Sequence, residues 1–562
     1  MTDDRILTGA GVGRGAAIGP VVHVARPPAA GISESAPADR EAAEAAVVDA
    51  FDVVAGRLRA QADGAVEPAA SVLRATAQMA TDRALRKKTL AGVADGAAPV
   101  AALDAAVGTF VDMFTSAGGL LAERVTDLRS VRDRVAAQIL GLPQPGVPSL
   151  TGPAVIVAED LAPADTAALD LRLVRAIVTE LGGTTSHTAI IAGQLGIPCV
   201  VRVAGALDLA EGTTVAVDAL AGTVETDPSD DVAAVFARRA ELAARLAEDT
   251  SAGALADGTP VALLANIGSP DDAERVAPAA VEGVGLFRTE VMFLDRTTAP
   301  TREEQAREYA RVLRALGGRK VVVRTLDAGA DKPLAFADQA EEENPALGVR
   351  GYRLVRTVPH LLDTQLAALA DAARETGVEP WVMAPMVSTP AEARDFAAAA
   401  RSHGLTTVGV MVEVPAAALR ARAILAEVDF VSMGTNDLAQ YTMATDRLCG
   451  ALGDLIDRWQ PAVLDLVAAT AAAAGEAGKP AGVCGESAAD PAMAVVLAGL
   501  GVTSLSMSAT AVPAVRFALA AHTREQARAV ADAALGAADA TTAREAAVAA
   551  MDAEVVAALA LG

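Results

Sequence analysis

His187 lies in GGTTSHTAI, where two glycines and three hydroxyl residues precede a run with helical spacing. A histidine at or just before the first turn of a helix faces backbone N–H groups and the positive end of the helix dipole. That field disfavours an imidazolium and leaves a neutral ring available as a nucleophile. It also stabilises a phosphate carried on the ring. The other histidines, His23, His360, His403 and His522, have no comparable setting and read as structural.

A second set of residues lies far along the chain. Glu413 in MVEVP and Asp437 in GTNDL end consecutive strand-like runs, so their carboxylates can converge. Two hard oxygen ligands with positions left for water and substrate describe a Mg²⁺ site, with Mn²⁺ as the alternative. Arg288 and Arg324 end two earlier runs and Arg447 follows the sixth, while Lys332 and Arg350 flank EEENPALG. Such a cluster of cations suits a small anion bearing phosphate and carboxylate. Cys484 in AGVCGES ends another run, a position from which a thiol can donate or accept a proton. Cys199 and Cys449 lack that context and read as structural.

These residues need elements to hold them. Eight strand-like segments fall at 261–268, 283–290, 321–329, 381–389, 408–415, 430–437, 481–487 and 505–509, with helical stretches between them. That pattern predicts a (β/α)8 barrel, whose active site forms at the carboxyl ends of its strands. Arg288, Glu290, Arg324, Asp327, Glu413, Asn436, Asp437, Cys484 and Glu486 all fall at such ends. Earlier, short strands over 1–25 and again over 147–226 predict one α/β domain. Four amphipathic helices between about 36 and 140 interrupt it, including a single helix over AASVLRATAQMATDRALRKKTL. The expected boundaries are 1–25 with 145–227 for the α/β domain, 26–144 for the bundle, 228–257 for a linking helix and hinge, and 258–562 for the barrel.

Composition narrows the partners. The 562 residues are 52% hydrophobic but only 3% aromatic, so the cores must be built from Ala, Val and Leu. A net charge of −24 argues against nucleic acid or an anionic membrane surface, and makes any anion site a local concentration of cations. With three scattered cysteines and no CxxC, neither a disulfide framework nor structural zinc is expected. No leader peptide and no apolar run long enough to span a bilayer is read, so the expected compartment is the cytoplasm.

GGTTSHTAI, GVGLFRTEVMFLDR, VVVRTLDAGADK, EEENPALGVR, MVEVPAAAL, SMGTNDLAQYTMATDR and CGES occur in this order. On these motifs the chain resembles enzyme I of the bacterial sugar phosphotransferase system, the phosphoenolpyruvate (PEP)-protein phosphotransferase family. The resemblance covers essentially the whole chain and is strongest from 147 to 510. It implies a swivelling phosphohistidine domain interrupted by the helical bundle, followed by a PEP-binding barrel that also forms a homodimer. It further implies that His187 takes the phosphoryl group of PEP and passes it to a histidine of the small phosphocarrier protein HPr, which docks on the bundle. Arg288, Arg324, Asn436, Asp437 and Arg447 would bind PEP, Lys332 and Arg350 could add contacts, Glu413 and Asp437 would hold Mg²⁺, and Cys484 would protonate the leaving enolate. Thr184 stands where many relatives carry a basic residue, and Thr76 where they often carry histidine. A dikinase or synthase of the same lineage would need a large ATP-binding region, and no phosphate-binding Gly-rich loop precedes His187. A non-catalytic paralogue would be expected to lose site residues, and His187, Glu413, Asp437 and Cys484 are all present.

Overall fold

The three short strands that open the chain, β1 (Ile6–Thr8), β2 (Ala10–Val12) and β3 (Ala16–His23), find their partners much later in the sequence. Those partners are β4 (Ala154–Ala158), β5 (Val174–Thr179), β6 (Cys199–Val201), β7 (Thr214–Asp218) and β8 (Thr223–Thr226). Together they form one eight-stranded sheet in the order β1-β8-β7-β3-β4-β5-β6-β2. β3 joins the two halves. It runs antiparallel to β7 from Ala16 opposite Asp218, and parallel to β4 from Val21 opposite Val155. The chain crosses itself closely at β2: a Cβ on Gly11 would lie 1.7 Å from the Ala219 carbonyl oxygen, so this approach requires glycine.

This is a computed structural model, which describes residues 5–13, 15–24, 37, 39–64, 69–117, 125–142, 144–146, 150–161, 172–183, 188–189, 192, 196–294, 296, 298–329, 334, 336, 342–446, 452 and 455–561. His187, Lys332, Arg447, Thr184 and Cys449 lie outside the described residues. The chain divides into two units, Met1–Ala240 and Glu241–Gly562.

Between β3 and β4 the first unit carries α1 (Arg40–Gly64), α2 (Ala69–Ala80), α3 (Arg83–Ala94), α4 (Pro99–Ala117) and α5 (Val125–Leu140). Phe51, Leu58, Leu85, Leu103 and Val131 fill the core between them. The single helix expected over 69–90 is in fact two. Asp82 adopts an extended conformation, and its carboxylate accepts the amide of Leu85, which starts α3 afresh. A 3.6-residue period continues across such a break, so periodicity alone does not reveal it. Thr76 is buried in α2. Arg132 of α5 binds Asp104 of α4 at 2.6 Å and tethers the two helices.

α6 (Asp230–Glu248) carries the chain into the second unit without burying any residue. There β9 (Ala262–Ile267), β10 (Gly283–Arg288), β11 (Lys320–Arg324), β12 (Trp381–Ala384), β13 (Val408–Val412), β14 (Phe430–Met433), β15 (Ala481–Val483) and β16 (Ser504–Met507) close into a barrel. Neighbouring strands are parallel and follow chain order, with β16 returning to β9. Each strand falls within or beside one of the eight runs read from the sequence. Parallel strands buried on both faces are made of apolar residues almost throughout, which is why they stand out. Leu286, Val322, Met383, Met411, Phe430 and Cys484 fill the barrel interior.

Asp82→Ala should cost the bundle about 1 kcal/mol, the usual value of an N-cap. Faster amide exchange in α3, with the exchange of the barrel strands unchanged, would show it.

Candidate active site

β10 and β11 end in arginines because the barrel interior excludes long polar chains until the strands reach its rim. Arg324 is buried there, and its guanidinium binds Glu290 at 2.6 Å and Asp327 at 3.1 Å. Burial pushes its pKa down, but Glu290, Asp327 and Glu413 more than offset this, so it stays firmly protonated. Arg324 Nε and Glu290 Oε2 are buried without a hydrogen-bond partner among the described residues. Arg288 is exposed at the same rim, and no ion pair to it is seen among the described residues.

Arg350 is 1% exposed and links two loops. Its guanidinium donates to both oxygens of Asp327 and to Asp437 Oδ1, each at 3.2 Å, and to the Tyr441 hydroxyl at 3.2 Å. Sequence reading placed Arg350 beside the anion. Its observed contacts are with carboxylates that themselves line the mouth, so it acts as a tie between strand ends. Asp327 stands between Arg324 and Arg350, and neither its bridging role nor that of Tyr441 was legible from spacing.

Glu413 is buried just after β13, and its Oε1 accepts the amide of Met386 at 2.6 Å. Met386 holds a φ of 59°, a left-handed conformation that a methionine rarely adopts. Burial pushes the Glu413 carboxyl up to about 8, with Asp437 and Asp327 adding to the rise and Arg324 opposing it. Two acids that repel one another in a low-dielectric site suit a divalent cation. Their oxygens are hard donors of the kind Mg²⁺ and Mn²⁺ prefer. Gly434 keeps Glu413 Oε2 uncovered, since a Cβ there would sit 2.9 Å from it. The residues therefore fit the metal, although no group of three or more His, Cys, Asp or Glu converges among the described residues.

Cys484 follows β15 and is 3% exposed, with Sγ 3.6 Å from the Met433 carbonyl. Burial raises its thiol pKa, against the hydroxyl of Ser432 and the charges of Arg324 and Arg288, so the proton stays on sulfur. Asn436 Oδ1 accepts the amide of Glu486 at 3.3 Å, joining the loop after β14 to the loop after β15. Gly485 permits this closeness, because a Cβ would lie 2.0 Å from Thr435 Oγ1. Arg288, Arg324, Arg350, Glu413, Asn436, Asp437 and Cys484 thus gather at one barrel mouth. Cys199, by contrast, is buried in the first unit and its thiol is pushed up to about 12 by burial, as suits a packing residue.

In the first unit, Gly182 takes a φ of 87° and turns the chain after β5. Thr188, the residue after His187, is buried and its hydroxyl donates to the Leu161 carbonyl at 3.2 Å. Thr188 and Ala189 are helical, so the residue directly after the histidine is both helical and anchored.

Behind the barrel mouth lies a buried polar relay that sequence patterns did not indicate. Gln365 Oε1 accepts the Leu326 amide at 2.9 Å, and its Nε2 donates to Thr289 Oγ1 at 3.0 Å and to the Tyr309 hydroxyl at 2.9 Å. Thr289 in turn donates to the Arg324 carbonyl at 2.8 Å. One amide side chain thereby fixes the loops carrying Arg288, Glu290, Arg324 and Asp327. Gln365→Leu should cost about 1–3 kcal/mol by leaving buried partners unsatisfied. Denaturant unfolding of the second unit checks this, and an unchanged midpoint would remove Gln365 from the account.

Among the described residues, no helix is long and apolar enough to cross a membrane. The PEP-binding domain of the PEP-utilising enzymes matches residues 243–524, their mobile domain 150–222, and their N-terminal domain 8–124. A phosphoenolpyruvate-protein phosphotransferase of Streptomyces coelicolor is 50% identical over 98% of this chain and 100% of its own length. Proteins of the same name from Haloferax volcanii and Staphylococcus carnosus are 42% and 40% identical over 75% and 72% of this chain, and 77% and 73% of their own. The chain belongs to the phosphoenolpyruvate-protein phosphotransferases, within the PEP-utilising enzymes.

Proposed function

We propose that the chain transfers the phosphoryl group of PEP to its own His187, releases pyruvate, and then phosphorylates a histidine of the phosphocarrier protein HPr. This is the first step of the sugar phosphotransferase system. The observation that carries the reading is the pairing, at one barrel mouth, of unsatisfied cationic donors with a buried protonated thiol. Arg324 Nε and the exposed Arg288 have no hydrogen-bond or ion-pair partner, respectively, among the described residues, and Cys484 keeps its proton. An anion bearing phosphate and carboxylate satisfies the first two, and a carbanionic leaving fragment needs the third.

In this reading Arg288, Arg324, Asn436 and Arg447 orient PEP, and Arg350 holds Asp327 and Asp437 in place rather than meeting the substrate first. Lys332 lies near enough in sequence to add a contact. Glu413 and Asp437 would hold Mg²⁺, which when bound neutralises charge on the transferring group. Phosphoryl transfer depends mainly on such positioning and neutralisation. A neutral His187 nitrogen forms the new bond to phosphorus while the bond to the enol oxygen breaks. The enolate then takes a proton on its methylene carbon from Cys484 Sγ, giving pyruvate. The acceptor histidine and the barrel belong to different units, so transfer requires the two to meet, with 228–257 as the hinge.

The rest of the assignment follows the same reading. Residues 1–25 and 145–227 would form the phosphohistidine domain, 26–144 the carrier-docking bundle, and 258–562 the PEP-binding and dimer-forming barrel. The protein would work in the cytoplasm without nucleic acid or membrane insertion.

Incubation with labelled PEP and Mg²⁺ should place acid-labile label on the protein, and His187→Ala should carry none. Label retained by that variant would falsify the assignment. Cys484→Ala should slow pyruvate formation by roughly 10²-fold or more, the usual contribution of a positioned acid, while PEP binding stays nearly intact. Loss of binding would instead make the thiol a packing group. A crosslink across 228–257 should abolish labelling by PEP, and normal turnover in that form would exclude the hinge.

A further inference from the structure

At the amino-terminal mouth of the barrel, opposite the arginines, β11 begins with Lys320. Residues 320, 322 and 324 alternate onto the inner face of the strand, so the aliphatic stem of Lys320 enters the barrel below Val322. Its Nζ lies 3.7 Å from the ring centroid of Trp381 and 6.0 Å from that of Phe430. No hydrogen bond or ion pair to it is seen among the described residues. The same end of the barrel holds a cavity lined by Lys320, Phe430, Ser432, Gly482, Ser504 and Ser506, with room for about one water molecule.

Three properties of this place belong together. The cavity lining contains no acidic group and no base besides Lys320, from any of the strands that form it. A hydroxyl faces it: a Cβ on Gly482 would lie 2.7 Å from Ser504 Oγ, and no side-chain hydrogen bond to that oxygen is seen among the described residues. Finally, Lys320 is half-buried with no counter-charge among the described residues, and burial lowers its pKa to about 8. The two ring faces favour the charged form, but weakly beside the loss of water around an uncompensated charge. Lys320 therefore gives up its proton more readily than an ordinary lysine does.

We propose that Lys320 is a carbamate site, at which the lysine amine adds reversibly to carbon dioxide. The Nζ lone pair forms a bond to carbon, one C=O electron pair moves onto oxygen, and the N–H proton leaves to solvent. No oxidant or reductant is needed. Lys320 is only half-buried, so a small uncharged electrophile reaches its amine from solvent. The cavity lining offers serine hydroxyls to the new carboxylate and no acid that would repel it.

The chain contains five lysines, so the others act as internal controls. Lys479 donates to the carbonyls of Leu425 and Val428, and Lys87 and Lys88 are exposed on the bundle. Full-length protein equilibrated with ¹³C-bicarbonate near pH 8 is trapped with triethyloxonium and digested for mass spectrometry. A ¹³C-ethoxycarbonyl group is expected on Lys320 and not on Lys87, Lys88 or Lys479. In parallel, cyanate, which is isoelectronic with carbon dioxide and reacts irreversibly, should label Lys320 at least about tenfold faster than Lys87. Absence of the ¹³C adduct on Lys320, or an equal adduct on the exposed lysines, overturns the proposal. So does cyanate labelling of Lys320 no faster than that of Lys87.

Discussion

The barrel mouth depends on a chain of buried charges running from Glu290 through Arg324, Asp327 and Arg350 to Asp437. The links join the residues after β10 and β14 through Arg324 and the long connection after β11, so the ends of three strands share one electrostatic lattice. Taking such ions out of water is expensive, and the attraction among them repays it only while every member is present. Removing one partner from a buried pair typically costs about 3–5 kcal/mol, because a bare charge is left behind. That makes the lattice a poor source of stability and a strong source of geometry. Arg324 can remain a cation in a dry site because three carboxylates surround it. One of them, Glu413, is pushed toward neutrality by the same crowding.

Close backbone approaches make this density possible. Gly434 and Gly485 sit where side chains would run into Glu413 Oε2 and Thr435 Oγ1. Met386 accepts a left-handed backbone in order to aim its amide at Glu413. Backbone strain of this kind persists where the surrounding packing over-determines it, and it concentrates at functional sites. Gln365 works from behind the rim, through three partners on different elements.

Much of this was legible in the sequence, and the rest was not for identifiable reasons. The eight barrel strands stood out because strands covered on both faces must be apolar along their whole length. Arg288, Arg324, Glu413, Asn436, Asp437 and Cys484 stood out because polar residues at the ends of such runs converge in a barrel. Arg350 was grouped with the cations near the anion because it flanks EEENPALG after the third run, and only the fold reveals that it also binds Asp327 and Asp437. Gln365 sits at an ordinary helical position, and nothing local distinguishes a buried amide from a solvated one. The split between α2 and α3 was hidden because the apolar period continues through Asp82. His187, Lys332 and Arg447 rest on motif and spacing alone, since they lie outside the described residues.

β11 itself compares two fates of a cation drawn partly or wholly out of water. Lys320 and Arg324 share its inward stripe, one at each mouth of the barrel, with Val322 between them. Burial acts on both in the same direction, toward the neutral form. At the carboxyl end, acids from neighbouring strands reverse it and fix a permanent positive charge that can hold an anion. At the amino end, two aromatic rings and a hydroxyl-lined cavity do not reverse it, and the amine is left able to lose its proton. The difference lies in the partners that the fold delivers, and less in lysine against arginine. A strand only five residues long thus separates an electrostatic site from a nucleophilic one.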